Sequence, residues 1–229
     1  MTCVALTPCD DASPFRWIAQ DGSPWSRLVS FGPSGFAAYA RLRFVPDPAY
    51  EGQQEADADA VNDEAEQLRM VFDVLAEHTR TPRDCYFCLW EGTGDIVRPD
   101  SPVPDEDEDA AAYPELRAQP ARVPKHAEPP RLPGPLVSVP HRSYYLFHGA
   151  LSEAGAWSFP EGWPDQPRLD ITHIAFAWPA DHAWCVANDV DPHWAGIGAD
   201  AAVIDRLVAD PRLDVVPADP TAEQPVYLW

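Results

Sequence analysis

Residues 169–216 constrain the fold of this chain more than any other stretch, because their pattern runs without interruption through strand, turn, strand, loop, helix and strand. Residues 171–178 and 183–190 alternate with the period of two that indicates β-strands. Pro179 and Asp181 lie between them and favour a turn, which predicts a β-hairpin. We expect the even positions to form a bulky face and the odd positions a face of small residues: Ile174, Phe176, Trp178, Trp184 and Val186 against Ala175, Ala177, Cys185 and Ala187.

The segment after the hairpin predicts a helix and a closing strand. The run Gly196-Ile197-Gly198 predicts a flexible loop, and Asp200 is suited to cap the helix that follows. Apolar residues then recur on one helical face, which we expect to cover the small-residue face of the hairpin: Val203, Ile204, Leu207 and Val208. Residues 213–216 predict a short strand at a sheet edge, because Pro217 follows and cannot donate a hydrogen bond.

The same patterns predict five further elements upstream. They are a half-buried strand at 36–45, a helix at roughly 62–78 capped by Asn62, a largely buried strand at 85–90, and strands at 136–139 and 143–147. Residues 99–135 are acidic and proline-rich without a periodic apolar pattern, so we expect a mobile insertion there. The chain 1–229 is therefore predicted to be a single α+β domain with a largely antiparallel sheet, two main helices on one face and an acidic Pro-rich insertion.

Several sequence blocks resemble a known group of proteins. They are CYFCLWEG at 85–92, WPADHAWCVANDVD at 178–191, and the following WAGIG and AAVIDRLVADPRLDVVPAD runs. Together they resemble an uncharacterised protein family that is frequent in high-GC actinobacteria. The resemblance implies a shared fold, and it implies no activity, cofactor or catalytic residue.

The net charge of −21 restricts the classes of partner. Contacts to phosphate require clustered lysine and arginine, so the charge argues against nucleic acid and anionic membranes and favours a basic protein. The first residues have no basic region followed by a long apolar run, and no later window is long and apolar enough for a membrane span. We therefore expect a cytoplasmic protein without a membrane partner.

The spacing Cys85-x2-Cys88 is shared by half-sites for structural zinc and by thioredoxin-type redox pairs. In a strand, however, positions i and i+3 point to opposite faces, whereas those sites require a turn or a helix start. We expect both cysteines to be free thiols in a buried strand. The chain has five cysteines, and in a reducing compartment all of them should remain reduced.

Asp189, Asp191 and His193 occupy alternate positions, and on an extended segment their side chains could converge on a divalent metal. The alternative is that these residues form a turn, because Pro192 interrupts the strand. The aspartate side chains would then accept hydrogen bonds from backbone amides of the turn. The ring of Trp194 would then be either an exposed anchor for a partner or part of the core. We select Asp189, Asp191, His193 and Trp194 as candidate binding residues and assign them no metal.

The sequence contains no complete catalytic or cofactor motif, so no catalytic residue and no cofactor are predicted. His141 and His148 could act as general bases only if they faced a cleft, and Glu91–Gly94 predicts a turn at a strand end. The leading prediction is a non-catalytic acidic protein that binds a basic protein, in its most specific form an immunity-type inhibitor of a basic toxin. The alternative is a metal-dependent hydrolase that uses Asp189, Asp191 and His193.

Overall fold

The computed structural model describes residues 5–58, 61–92, 134–157 and 169–227. Within them, nine strands form one sheet in which every neighbouring pair is antiparallel. The strands are β1 (Thr7–Pro8), β2 (Ala38–Arg43), β3 (Cys85–Trp90), β4 (Leu136–Val139), β5 (Arg142–Gly149), β6 (Ile174–Pro179), β7 (Trp184–Ala187), β8 (Trp194–Ala199) and β9 (Val215–Ala218). Their order is β1-β5-β3-β6-β7-β8-β2-β9, with β4 also paired to β5. The predicted α+β fold is confirmed.

Both faces of the sheet are covered by helices. These are α1 (Arg16–Ala19), α2 (Trp25–Phe31), α3 (Glu64–Ala76) and α4 (Ala201–Val208), and short 3-10 helices lie at Ser13–Phe15, Glu55–Asp57, Leu151–Glu153 and Ile171–His173. The apolar sides of α3 and α4 share one core cluster with alternate residues of the sheet, such as Leu42 and Ile197. Residues of α1 and α2, among them Ile18 and Leu28, pack on the opposite face. The prediction of two main helices on one face is therefore confirmed.

Helix α3 is capped by a different residue from the one predicted. The Asp63 carboxylate accepts a hydrogen bond of 2.8 Å from the backbone N–H of Glu66. Asn62 lies one residue too early for this, and its side-chain amide donates instead to the carbonyl of Arg43. The cap therefore satisfies a free N–H of the first helical turn, while Asn62 attaches the helix entry to β2.

The hairpin of β6 and β7 forms as predicted, but its two faces are composed differently. Ala177 pairs with Val186, and Phe176 pairs with Ala187. Antiparallel partners share a face, so the large rings of β6 lie on the same side as the small residues of β7. Trp178 and Cys185 accordingly share a cluster beneath α1 and α2, whereas Trp184 packs toward α3. The prediction failed because alternation within one strand does not specify the register between two strands.

Strand β8 replaces the flexible loop predicted at residues 196–198. It lies between β7 and β2 and is buried along its whole length. The two glycines are needed there because α2 approaches the strand closely at Gly196, and the rings of Phe36 and Tyr39 do so at Gly198. A Cβ on Gly196 would lie 2.9 Å from the Cα of Phe31, and one on Gly198 would lie 2.9 Å from the ring of Tyr39. Glycine in this strand therefore allows close packing of a helix.

Strand β9 begins two residues later than predicted, at Val215, and pairs with β2 at the end of the sheet order. Pro217 lies within it, which is consistent with the edge position expected from the sequence. Most of the predicted insertion, residues 99–133, lies outside the described residues.

Candidate functional site

The segment 189–191 is held by one arginine at the start of β5. Arg142 Nε donates to Asp189 Oδ1 over 3.2 Å, and its Nη2 donates to Asp191 Oδ2 over 3.0 Å. The Asp189 side chain is only 8% exposed, whereas that of Asp191 is 68% exposed. The guanidinium also lies 5.1 Å from the ring centroid of Trp90. Both carboxylates thus serve first to fix this segment against β5, and Asp191 still faces solvent.

His193 and Trp194 are buried side chains. The Nε2 atom of His193 lies 3.4 Å from Asp47 Oδ1, and its ring contacts Tyr227 at a centroid distance of 4.8 Å. Burial lowers the pKa of His193, although the Asp47 carboxylate opposes that shift. Trp194 is 3% exposed and packs against Phe31 of α2 at 5.0 Å. Its ring is therefore placed in the core, which corresponds to the structural alternative weighed from the sequence.

The three side chains of the proposed metal set turn to different partners. Asp189 and Asp191 face Arg142, whereas His193 faces Asp47. Among the described residues, no group of three or more histidine, cysteine, aspartate or glutamate side chains is arranged to hold a metal ion.

The cysteine predictions agree with the structure. Cys85 faces the cluster under α3, and Cys88 faces the cluster under α1 and α2. The four described cysteines, Cys9, Cys85, Cys88 and Cys185, are free thiols. Burial raises the pKa of Cys85 to about 12, which keeps it protonated and unreactive at neutral pH.

The two histidines considered as bases lie away from the cavities described below. His141 occupies the turn between β4 and β5 with a φ of 66°, and its ring lies 5.2 Å from that of Trp25. His148 Nε2 lies 2.7 Å from the carboxylate of Asp84 on a solvent-facing part of the sheet. Each histidine therefore has a local structural contact.

A cleft of about 690 Å³ opens between α2, residues 191–194 and residues 220–227, and we call it the α2 cleft. Its base is formed by the buried rings of Phe31, Trp194 and Tyr227. Its rim carries three exposed carboxylates: Glu55, Asp191 and Glu223. Three of the candidate binding residues line the cleft, namely Asp191, His193 and Trp194. The sequence did not indicate the other lining residues, because long stretches of chain separate them and they share no motif.

The cations near the α2 cleft are already engaged. Arg27 lines the cleft, but its Nη1 donates to Ser23 Oγ and to the carbonyl of Gly32, at 2.9 and 3.1 Å. Beneath the cleft, Arg41 pairs with Asp47, and Arg43 bridges Asp47 and Asp214. Within the described residues, Glu55 and Glu223 have no ion pair. The rim therefore presents uncompensated negative charge above an apolar base.

A second cavity of about 340 Å³ lies on the other side of residues 189–192, and we call it the Glu64 pocket. Pro192 lines both cavities, so this short segment forms a shared wall. The pocket combines polar and apolar side chains: Phe44, Glu64, Trp90, Thr172, His173, Ala175, Asn188, Asp189 and Val190, besides Gly92 and Pro192. Nothing in the sequence indicates that Glu64 meets Asn188, because the two residues are far apart in the chain and share no motif.

Comparison of the chain with protein-family models, with curated proteins and with solved structures found no match in any of the three. In the described part of the chain, none of the helices has the length and apolar character needed to cross a membrane.

Proposed function

We propose that this chain is a non-catalytic protein that binds a basic protein partner through the α2 cleft. In its most specific form it is an immunity-type inhibitor of a basic toxin, acting in the cytoplasm. The observation that carries the proposal is the α2 cleft itself, where the Glu55, Asp191 and Glu223 carboxylates surround an apolar base. Of the nearby cations, Arg41 and Arg43 are paired with carboxylates, and Arg27 is hydrogen-bonded to Ser23 and Gly32.

Such a cleft is chemically suited to the side chain of lysine or arginine. The aliphatic stem of a basic residue packs on apolar surface while its charged end stays near water. Here the stem would lie against Phe31 and Trp194, and the cation would reach the Glu55 and Glu223 carboxylates. An arginine would gain more than a lysine, because its planar guanidinium can bind two carboxylate oxygens at once.

The whole-molecule charge of −21 supports the same partner. A large excess of negative charge accelerates encounter with a positive surface, and the effect weakens as salt screens it. After this encounter, the rim carboxylates would determine how the partner is positioned on the α2 cleft. A gene for a basic toxin beside this one would supply the natural partner for the test.

The test uses a short arginine-rich peptide and the same peptide with citrulline in place of arginine. We expect calorimetry to detect binding of the arginine peptide alone, with affinity that falls as salt is raised. In the variant Glu55→Gln/Glu223→Gln, affinity should fall about tenfold, or about 1.4 kcal/mol.

The control variant Glu66→Gln/Glu77→Gln removes two exposed charges from α3, on the other face of the sheet. It should leave the affinity within about twofold, since its charges lie far from the peptide. An equal loss in both variants would mean that the peptide responds to net charge alone, and would reject the α2 cleft as the binding surface.

A further inference from the structure

The Glu64 pocket has an arrangement of hydrogen-bond acceptors that its own residues do not use up. The side-chain amide of Asn188 donates to Glu64 Oε1 and to the carbonyl of Thr172, each over 3.2 Å. Because the Thr172 carbonyl can only accept, the atom facing it must be the amide nitrogen, which fixes the orientation of Asn188. The amide oxygen of Asn188 is then left for another donor.

No described residue donates to that oxygen, although Asn188 is only 9% exposed and lines the pocket. Among the described residues, the side-chain atoms that are both sealed from solvent and without a partner do not include this oxygen, so it is open to the pocket. Water or the N–H of a ligand can donate to it there. Glu64 also keeps its second carboxylate oxygen free of protein donors within the described residues. Two acceptors, one neutral and one acidic, therefore border the same space.

The charges around the pocket favour a cation. Burial raises the pKa of Glu64, the hydrogen bond from Asn188 and the charge of His173 lower it, and the Asp170 and Asp63 carboxylates raise it further. An added positive group would relieve that repulsion. Asp189, on the opposite wall, is already paired with Arg142. His173 accepts a 3.2 Å hydrogen bond from the backbone N–H of Asp170 through Nδ1, so that atom is not a free donor to a ligand.

The remaining walls are apolar. Phe44, Ala175 and Val190 line the pocket together with Pro192. A volume of about 340 Å³ is at the lower end of the range found for ligand sites, which suits a small molecule. We propose that the Glu64 pocket binds a small organic cation, a molecule that carries a primary ammonium or guanidinium group on a short aliphatic body.

This site goes beyond the proposed function, because it is a separate cavity with its own acceptors. The ammonium or guanidinium would donate to the Glu64 carboxylate and to the amide oxygen of Asn188, and its aliphatic part would lie against Phe44 and Val190. Anionic ligands are disfavoured by the Glu64 carboxylate.

The experiment is an NMR titration of the isotope-labelled full chain with n-butylamine, n-butylguanidinium and the neutral pentanamide. We expect saturable shifts at Thr172, His173 and Asn188 with both cations and little response to the amide. Glu64→Gln should weaken cation binding about tenfold or more. Glu66 lies two residues further along α3, on its exposed side. Glu66→Gln should therefore leave the affinity for the cations unchanged.

A second variant separates loss of the site from loss of the fold. Val190 is 57% exposed at the pocket, so Val190→Trp should block entry while the core stays intact and binding is lost. No saturation up to about 10 mM cation, equal weakening by Glu64→Gln and Glu66→Gln, or equal binding of pentanamide would overturn the proposal.

The arginine-rich peptide used for the α2 cleft distinguishes the source of the cation. Shifts at Thr172 and Asn188 on addition of the peptide would assign the site to a basic side chain of the protein partner. Shifts with the small cations alone would assign it to a free amine or guanidine compound. Binding in the α2 cleft is followed by NMR shifts of Trp194 and Tyr227, whereas binding in the Glu64 pocket is followed by shifts of Thr172 and Asn188. Failure of one proposal therefore does not affect the other.

Discussion

The ring of Trp194 lies between α2 and β2. It packs 5.0 Å from the Phe31 ring, and the Arg41 guanidinium lies 5.5 Å from its centroid. Its indole N–H has no hydrogen-bond partner in the described part of the chain. The ring contributes to stability through packing, while the unmet N–H opposes it.

Replacing this ring should therefore destabilise the fold. We expect Trp194→Ala to reduce the free energy of unfolding by about 3–5 kcal/mol, because it leaves a large cavity under α2. The melting temperature followed by circular dichroism should fall by roughly 6–20 °C. Trp194→Phe is the matched control: it keeps an aromatic ring and removes the unmet donor, so its effect should be much smaller. Unchanged stability of Trp194→Ala together with lost peptide binding would instead identify the ring as a recognition anchor.

At the scale of elements, β8 shows how one helix determines the composition of a strand. Helix α2 crosses the sheet at Gly196, where no side chain projects from that face. Ala195, Ile197 and Ala199 fill the opposite face. The close approach also brings α2 against residues 191–194, which closes one side of the α2 cleft.

The variant Gly196→Ala should test this packing. Its methyl group would meet the backbone of Ser30 and Phe31, which cannot move without shifting α2. We expect a loss of about 1–3 kcal/mol in the free energy of unfolding, measured in urea. Gly22→Ala is the control, since a Cβ there meets nothing within 4 Å. If both variants unfold at the same urea concentration, α2 does not pack against β8 as described.

At the scale of the whole molecule, an ion-pair cluster joins the segment before β9 to β2, the strand next to that edge of the sheet. Arg41 and Arg43 on β2 share Asp47, and Arg43 also reaches Asp214 before β9. Tyr227 donates to the carbonyl of Pro46 and packs on His193. The last described residues are thereby held over the α2 cleft.

This arrangement predicts a dependence of stability on pH. Burial lowers the pKa of His193 in the folded state, whereas the pKa of a histidine in the unfolded chain is about 6.5. Between those values the unfolded chain binds a proton that the folded chain does not. The contribution of His193 is therefore complete above about pH 6.5 and is lost as the pH falls. The groups facing His193 are Asp47, Arg41, Glu55 and Tyr227.

Urea unfolding at several pH values between about 7.5 and 5 measures this effect. The loss of stability on acidification should be smaller in His193→Gln than in the parent chain. Burial also lowers the pKa of His182, which lies in the turn between β6 and β7. His182→Gln therefore measures how much of the pH dependence of stability comes from this second histidine. An unchanged pH profile in His193→Gln would show that this histidine does not couple protonation to folding.

Several features were determined by the sequence alone, because they depend on neighbours within one element. The alternation at 171–178 and 183–190 predicted two strands and their turn. The spacing of Val203, Ile204, Leu207 and Val208 predicted the buried face of α4, on which the first three are buried and Val208 is 38% exposed. The opposite orientation of Cys85 and Cys88 followed from the geometry of a strand. Periodicity reports which residues of an element share a face, and the structure agrees with these predictions except at Val208.

Other features were decided only by the tertiary structure, because they depend on contacts between distant parts of the chain. The register of Ala177 with Val186 determines which faces of β6 and β7 coincide, and no pattern within either strand specifies it. Gly196 belongs to a strand because α2, from the first part of the chain, packs against it. Likewise, Arg142 meets Asp189, and Asn188 meets Glu64, since the tertiary structure brings these separated residues together.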